Sequence, residues 1–224
     1  MKRKDARIEP PPNAVEVIEN EEDERGCWSS THVVADATVL RSLYERDRLT
    51  LRFELHDGEM HGRLVEFGWN GSPVYLEHYE HGLVHGPAYQ WNENGALLHH
   101  TTFHRGNGVD IWCSDDGSIA ESHPLVNGTL HGAQRWWETN DCVYEETWFA
   151  SGARHGVARR WTTTGDLEDG YPTFYLADVE VSREGYMKAV NRDNSLRPYL
   201  VSDDSPVRKP PAAYHRLFPS EYPR

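Results

Sequence analysis

Apolar residues along this chain follow no helical period; they return in columns about 24 residues apart. Gly-x-x-His-Gly at 58–62, 82–86, 128–132 and 152–156 sets the phase, with the second glycines, Gly62, Gly86, Gly132 and Gly156, spaced by 24, 46 and 24 residues. Gly108 divides the long interval into 22 and 24. Five residues after these glycines stand Phe67, Trp91, Cys113, Trp137 and Trp161; eleven after, Pro73, Leu97, Ile119, Val143 and Leu167. Seventeen after come Tyr79, Phe103, Leu125, Phe149 and Thr173, while position +9 is a turn column, Gly71, Gly95, Gly117, Asp141 and Gly165. Counting back 24 from Gly62 reaches Thr38 with Leu43, Leu49 and Leu55 in phase, so units start near 38, 62, 86, 108, 132 and 156. Such repetition has to be settled before any local motif is interpreted.

The period is too short for a pair of helices, and its turn signals are dense. "GPAYQW", "NENG", "ALLHHTTF" and "HRGN" give strand, turn, strand, turn, the Asn-Gly steps supplying the positive φ of tight hairpins. The pattern predicts an all-β fold, an elongated single-layer antiparallel sheet of tandem hairpins with an aromatic and aliphatic stripe on one face. Alternation along strands then assigns the even offsets to the other face: Trp112, Trp136 and Arg160 at +4, His100 and Glu146 at +14, Trp148 at +16. Trp and Arg are enriched in binding hot spots, which makes these six the candidate partner-binding residues. Packing against neighbouring strands or a cap is the competing role for them.

The second glycine of each unit is expected in or beside a strand, with a neighbouring aromatic covering the missing side chain. His61, His85, His131 and His155 then form one column, a copy per unit. A catalytic or zinc site needs one constellation, so repetition points to an architectural role. Units such as "HGLVHGPAYQWNENGAL" and "SGARHGVARRWTTTGDL" resemble the MORN repeat variant family, the group known as YwqK-type antitoxins, over about 130 residues from Thr38 to Gly170. The resemblance implies a β-hairpin repeat fold and an antitoxin or immunity role in a bacterial toxin-antitoxin system. The unit at Gly108 departs from it by lacking the His and the aromatic, and the unit at Thr38 lacks the glycines.

Composition bears mostly on the ends and the partner. Residues 1–26 carry a Pro run and "ENEEDER", too little apolar surface to offset ordering, and are expected to be disordered. The repeat domain spans 27–171. Residues 172–193 are expected to cap it, as a hairpin turning at Ala177-Asp178 and a helix N-capped by Ser182 and carrying Tyr186, Met187 and Val190. A Pro-rich tail, 194–224, follows; its Tyr214, Leu217, Phe218 and Tyr222 suit docking on the sheet or on a partner. Three cysteines without a CxxC predict no disulfide framework and a reducing cytoplasm. The basic start is followed by no apolar h-region, and no stretch approaches a membrane span.

The formal charge is −13, and between Asp57 and Asp169 seventeen Asp/Glu stand against six Arg. That balance disfavours nucleic acid as a partner and suits a basic protein. No hydrolase, P-loop or dinucleotide motif occurs; Cys113 falls in the core column, and Cys142 follows a turn without a surrounding motif. The "GNGVDIWCSDDGS" stretch lacks the ligand spacing of a calcium loop. The sequence therefore predicts a non-enzymatic binder, without cofactor or metal, that neutralises a basic protein such as a toxin. The alternative is a structural, membrane-associated scaffold, against which the absence of lysine between Lys4 and Lys188 weighs.

Overall fold

A computed structural model describes residues 3–20, 25–34 and 37–214. It is nearly all β, built from antiparallel hairpins taken in chain order, and it divides into two compact units, one up to Gly106 and one from Asn107. The first unit holds β1 (Val15–Asn20), β2 (Cys27–Val34), β3 (Ala37–Glu45), β4 (Arg48–His56), β5 (Glu59–Phe67), β6 (Pro73–Glu80), β7 (Leu83–Val84), β8 (Gly86–Trp91) and β9 (Leu97–Phe103). Its sheet runs β1-β2-β3-β4-β5-β6-β8-β9, with β7 paired to β6. The second holds β10 (Gly108–Cys113), β11 (Ile119–Val126), β12 (Thr129–Leu130), β13 (Gly132–Thr139), β14 (Cys142–Ala150), β15 (Ala153–Arg160), β16 (Thr173–Leu176), β17 (Val179–Val181) and the helix α1 (Arg183–Val190). Its sheet runs β10-β11-β13-β14-β15-β16-β17, with β12 paired to β11.

The division into two sheets falls at the degenerate repeat. In regular units a two-residue segment follows the hairpin turn and keeps pairing with the strand just left: Leu83 and Val84 oppose Glu80 and Tyr79, and Thr129 and Leu130 oppose Val126 and Leu125. The unit at Gly108 is reached after 22 residues instead of 24, and the segment it lacks is this one. One repeat ladder over 27–171 thus becomes two sheets.

The register explains the sequence columns. In the X-Gly turns that lead into the repeat glycines both central residues have positive φ, as at Ser151 (49°) and Gly152 (85°), which is the type I′ geometry matched to strand twist. Each second glycine then faces an aromatic or leucine directly: Gly62 opposes Tyr79, Gly86 Phe103, Gly108 Leu125, Gly132 Phe149 and Gly156 Tyr175. The +5 and +11 columns also oppose each other, as in Trp91 with Leu97 and Trp137 with Val143. All five +5 side chains are only 3 to 7% exposed.

Gly156 shows why glycine recurs. Its φ is +148°, and a Cβ there would stand 2.5 Å from the Cβ of Trp148 on the neighbouring strand. At Gly86 the equivalent atom, the His78 Cβ, would be at an ordinary 3.5 Å. Gly156→Ala is expected to cost about 1–3 kcal/mol of stability, and more than Gly86→Ala, in denaturant melts of the two variants.

The N-terminal end departs from the sequence reading, while the Pro-rich tail docks on the sheet, one of the two roles its Tyr214 suggested. The segment expected to be disordered supplies a 3-10 turn (Arg3–Ala6) and the edge strand β1, and it buries Ala6 and Ile8 against Leu40, Val65, Phe67, Leu76 and Trp91. The apolar residues are few but fall where the +5 column needs a cover, and arginines hold them. Arg3 Nε donates to the Pro73 carbonyl at 2.6 Å, and Arg52 Nη1 donates to that of Ile8 at 2.9 Å. The Pro-rich tail does the same in the second unit: Trp161 Nε1 donates to the Asp204 carbonyl (2.6 Å), Val143 N to that of Pro206 (3.0 Å), and the Tyr214 hydroxyl to that of Gly117 (2.9 Å). Leu217, Phe218 and Tyr222 lie outside the described residues, as do residues 21–24.

The cap forms through the turn at Ala177-Asp178 and through Ser182, whose Oγ accepts from Gly185 N at 3.1 Å. Tyr186 is fully buried against Phe174 and Tyr199, whereas Met187 points outward. Among the described residues no helix is long and apolar enough to cross a membrane.

Candidate binding faces of the second unit

The repeat histidines sit beside turns. Nδ1 of His85, His131 and His155 accepts the backbone N–H of Arg105 (3.0 Å), Ser151 (3.4 Å) and Ala177 (3.2 Å), the positive-φ residue that opens a following hairpin turn. An accepting Nδ1 carries no proton, so Nε2 is the donor, and in His155 it faces Asp193 at 3.2 Å. His61 instead packs edge-on against His81, itself the opening residue of such a turn, with ring centroids 5.3 Å apart. Among the described residues no three His, Cys, Asp or Glu side chains come together as a metal cluster.

Even offsets do not share one face. Gly132 opposes Phe149, so paired positions within a repeat sum to 17, an odd number. Position +4 therefore faces the same way as +13, and +3 the same way as +14. Bulges where the register slips, as between Trp136 and Trp137, carry the alternation on to the +5 column. The six candidates divide accordingly. Trp112, Trp136 and Arg160 lie in one cross-strand row, Trp112–Glu121–Trp136–Glu145–Arg160. Glu146 and Trp148 lie on the opposite face, and His100 belongs to the first unit, exposed beside Tyr89.

The first of these faces is aromatic and acidic. Trp112 and Trp136 are partly exposed; Trp112 Nε1 donates to Asp110 at 3.0 Å, and the His123 ring meets Trp136 edge-on at 6.2 Å. Glu121 lies 3.0 Å from His123 Nε2, and Arg160 is shared between Glu168 (3.4 Å) and Glu145 (3.8 Å). The exposed Tyr144 registers the field: partial burial pushes its phenol up, and Glu121 and Glu145 push it further.

Glu146 is corrected from a candidate contact to a buried one. Its side chain is 3% exposed and meets three guanidinia: Arg135 Nε at 2.7 Å, Arg208 Nε at 2.9 Å and Arg159 Nη1 at 3.4 Å. Burial pushes its carboxyl up, but Arg208 and Arg135 more than reverse this and hold it at about 2. Arg159, equally buried, also donates from Nε to Asp204 at 2.9 Å. The cluster thereby ties β13, β14 and β15 to the tail. Sequence reasoning missed it, although Arg135 and Arg159 occupy the +3 column, which elsewhere holds Val65, Tyr89 and Ile111. Charges in a buried column, opposite a Glu in the column it pairs with, were the available signal.

Neither thiol is primed as a nucleophile. Burial pushes Cys113 to about 12, with Asp116 adding, and burial followed by Asp141 and Glu138 pushes Cys142 up.

No protein-family model matches the chain, and no curated protein matches it. Among solved structures it is similar to TarM, at 14% identity and a TM-score of 0.28, covering 52% of this chain and 20% of that one. It is likewise similar to an S. aureus TarM mutant in complex with Fondaparinux, alpha-GlcNAc-glycerol and UDP, at 14% identity and a TM-score of 0.24, covering 54% of this chain and 21% of that one. This chain thus matches about a fifth of the TarM chains, and a likeness of this size carries no argument about fold or function.

Proposed function

We propose that the chain is a non-enzymatic protein-binding module of the MORN-variant type, which engages a basic protein through the acidic aromatic face of its second unit. The observation that carries this reading is the row Trp112–Glu121–Trp136–Glu145–Arg160, in which partly exposed indoles alternate with carboxylates across neighbouring strands. Indoles supply contact area at low entropic cost, and the carboxylates beside them select cationic partners and speed encounter. The net charge of −13 extends the attraction over a Debye length. An antitoxin or immunity role, in which the face covers the working surface of a basic toxin, follows from the repeat resemblance together with this charge. A bacterial cytoplasm is the compartment this reading assigns.

Capture from cells with the tagged chain, eluted by a salt gradient, tests the reading when run beside Glu121→Lys/Glu145→Lys. A basic protein retained by the native chain, released by salt and lost from the variant is the expected result. Equal retention by both, or recovery of lipid alone, contradicts it.

A further inference from the structure

On the sheet face opposite that row, the segment after α1 packs over β13, β14 and β15 and leaves an open cavity of about 560 Å³. Arg135, Glu146, Trp148 and Arg159 line it from the sheet, and Arg197, Arg208 and Lys209 from the covering segment. The volume falls in the range of small-molecule sites, about 300–1,000 Å³. Its charge runs against that of the whole chain: five cationic side chains stand over two carboxylates, Glu146 and Asp203, in a protein of net charge −13.

Not all of these cations are committed to the fold. Arg159 and Arg208 are spent on Glu146, on Asp204 and on tail carbonyls. Arg135 gives its Nε to Glu146 and lines the cavity. Arg197 has no carboxylate partner among the described residues; its guanidinium lies 4.6 Å from the centre of the Trp148 ring. Lys209 has no carboxylate partner among them either. These three donors come from β13 and from two points of the covering segment, and both Arg197 and Lys209 are exposed.

We propose that this cavity binds a small phosphate-bearing ligand, gripped by Arg135, Arg197 and Lys209 over the Trp148 ring. Several cationic donors lining one cavity suit a tetrahedral group with three free oxygens, and guanidinium forks suit phosphate in particular. A planar carboxylate would engage only part of the set. The acidic balance of the chain disfavours a polyanion, which leaves a small anion as the occupant.

Isothermal titration of the full chain with inorganic pyrophosphate at low ionic strength is the test, with citrate as the carboxylate comparator. Saturable binding at one site is expected, weakened about tenfold or more, a loss of 1.4 kcal/mol per tenfold, in Arg197→Gln/Lys209→Gln. Lys209→Gln alone, a single change at an exposed side chain, is expected to weaken it in the same direction, and the unfolding midpoints of both variants should match the native one. Absence of saturable pyrophosphate binding, undiminished binding by the variants, or citrate bound as tightly as pyrophosphate would overturn the proposal.

Discussion

Glu146→Gln is expected to lower the stability of the second unit by about 3–5 kcal/mol, because it strands buried guanidinia that share one carboxylate. The amide keeps the volume and one acceptor, so loss of charge rather than of packing is what the change isolates. The pH dependence has a definite sign. The folded carboxyl sits at about 2 against an ordinary 4.5, a depressed value, so its contribution is fully present above about pH 4.5 and fades as the pH falls toward 2. The shift corresponds to a contribution on the order of 3 kcal/mol at neutral pH. Denaturant melts between pH 7 and pH 2 should show the native protein losing this increment over that window. The Glu146→Gln protein should lack it. Equal pH profiles would mean that the carboxyl does not titrate with folding.

Trp137→Ala is expected to cost about 3–5 kcal/mol as well, through packing instead of charge. Trp137 is 5% exposed in the +5 column, opposes Val143, and donates from Nε1 to the Ser122 hydroxyl at 3.0 Å. Removing it leaves a cavity and an unpaired hydroxyl in the interior. Its chain neighbour Trp136, on the outward row, should cost under about 1 kcal/mol when changed to alanine. Melts of the two single variants compare adjacent tryptophans that differ mainly in the face they occupy. Similar losses would contradict the register that separates them.

That register marks the limit of what the sequence disclosed. The repeat phase, the turns, the opposition of +5 to +11 and the cap hairpin with its Ser182-initiated helix were legible, since each depends on local chemistry repeated in several copies. Glycine covered by an aromatic was legible too, as Gly86 facing Phe103 shows. Which even and odd positions share a face was not. It depends on pairing across the turn, where the offsets sum to 17, and on bulges such as the slip between Trp136 and Trp137. Trp136 and Glu146 were assigned together on parity along the strands, and this pairing separates them. The N-terminal segment was misjudged for a different reason. Composition measures how much apolar surface a segment carries, while Ala6 and Ile8 act by meeting a partner already presented by the sheet. The second face of the candidate site, with Arg135, Arg159, Arg197 and Lys209, was hidden because its parts are distant in sequence and individually ordinary.

We propose that the second unit carries two independent faces, one for a basic protein and one for a small anion. Quantitative capture from cells by the native chain, by Trp112→Ala/Trp136→Ala and by Arg197→Gln/Lys209→Gln, all three confirmed folded by melting, tests it most directly. The basic partner is expected to be retained by the native chain and by the arginine-lysine variant, and lost from the tryptophan variant. A partner that survives the tryptophan changes and is lost with Arg197 and Lys209 would contradict it.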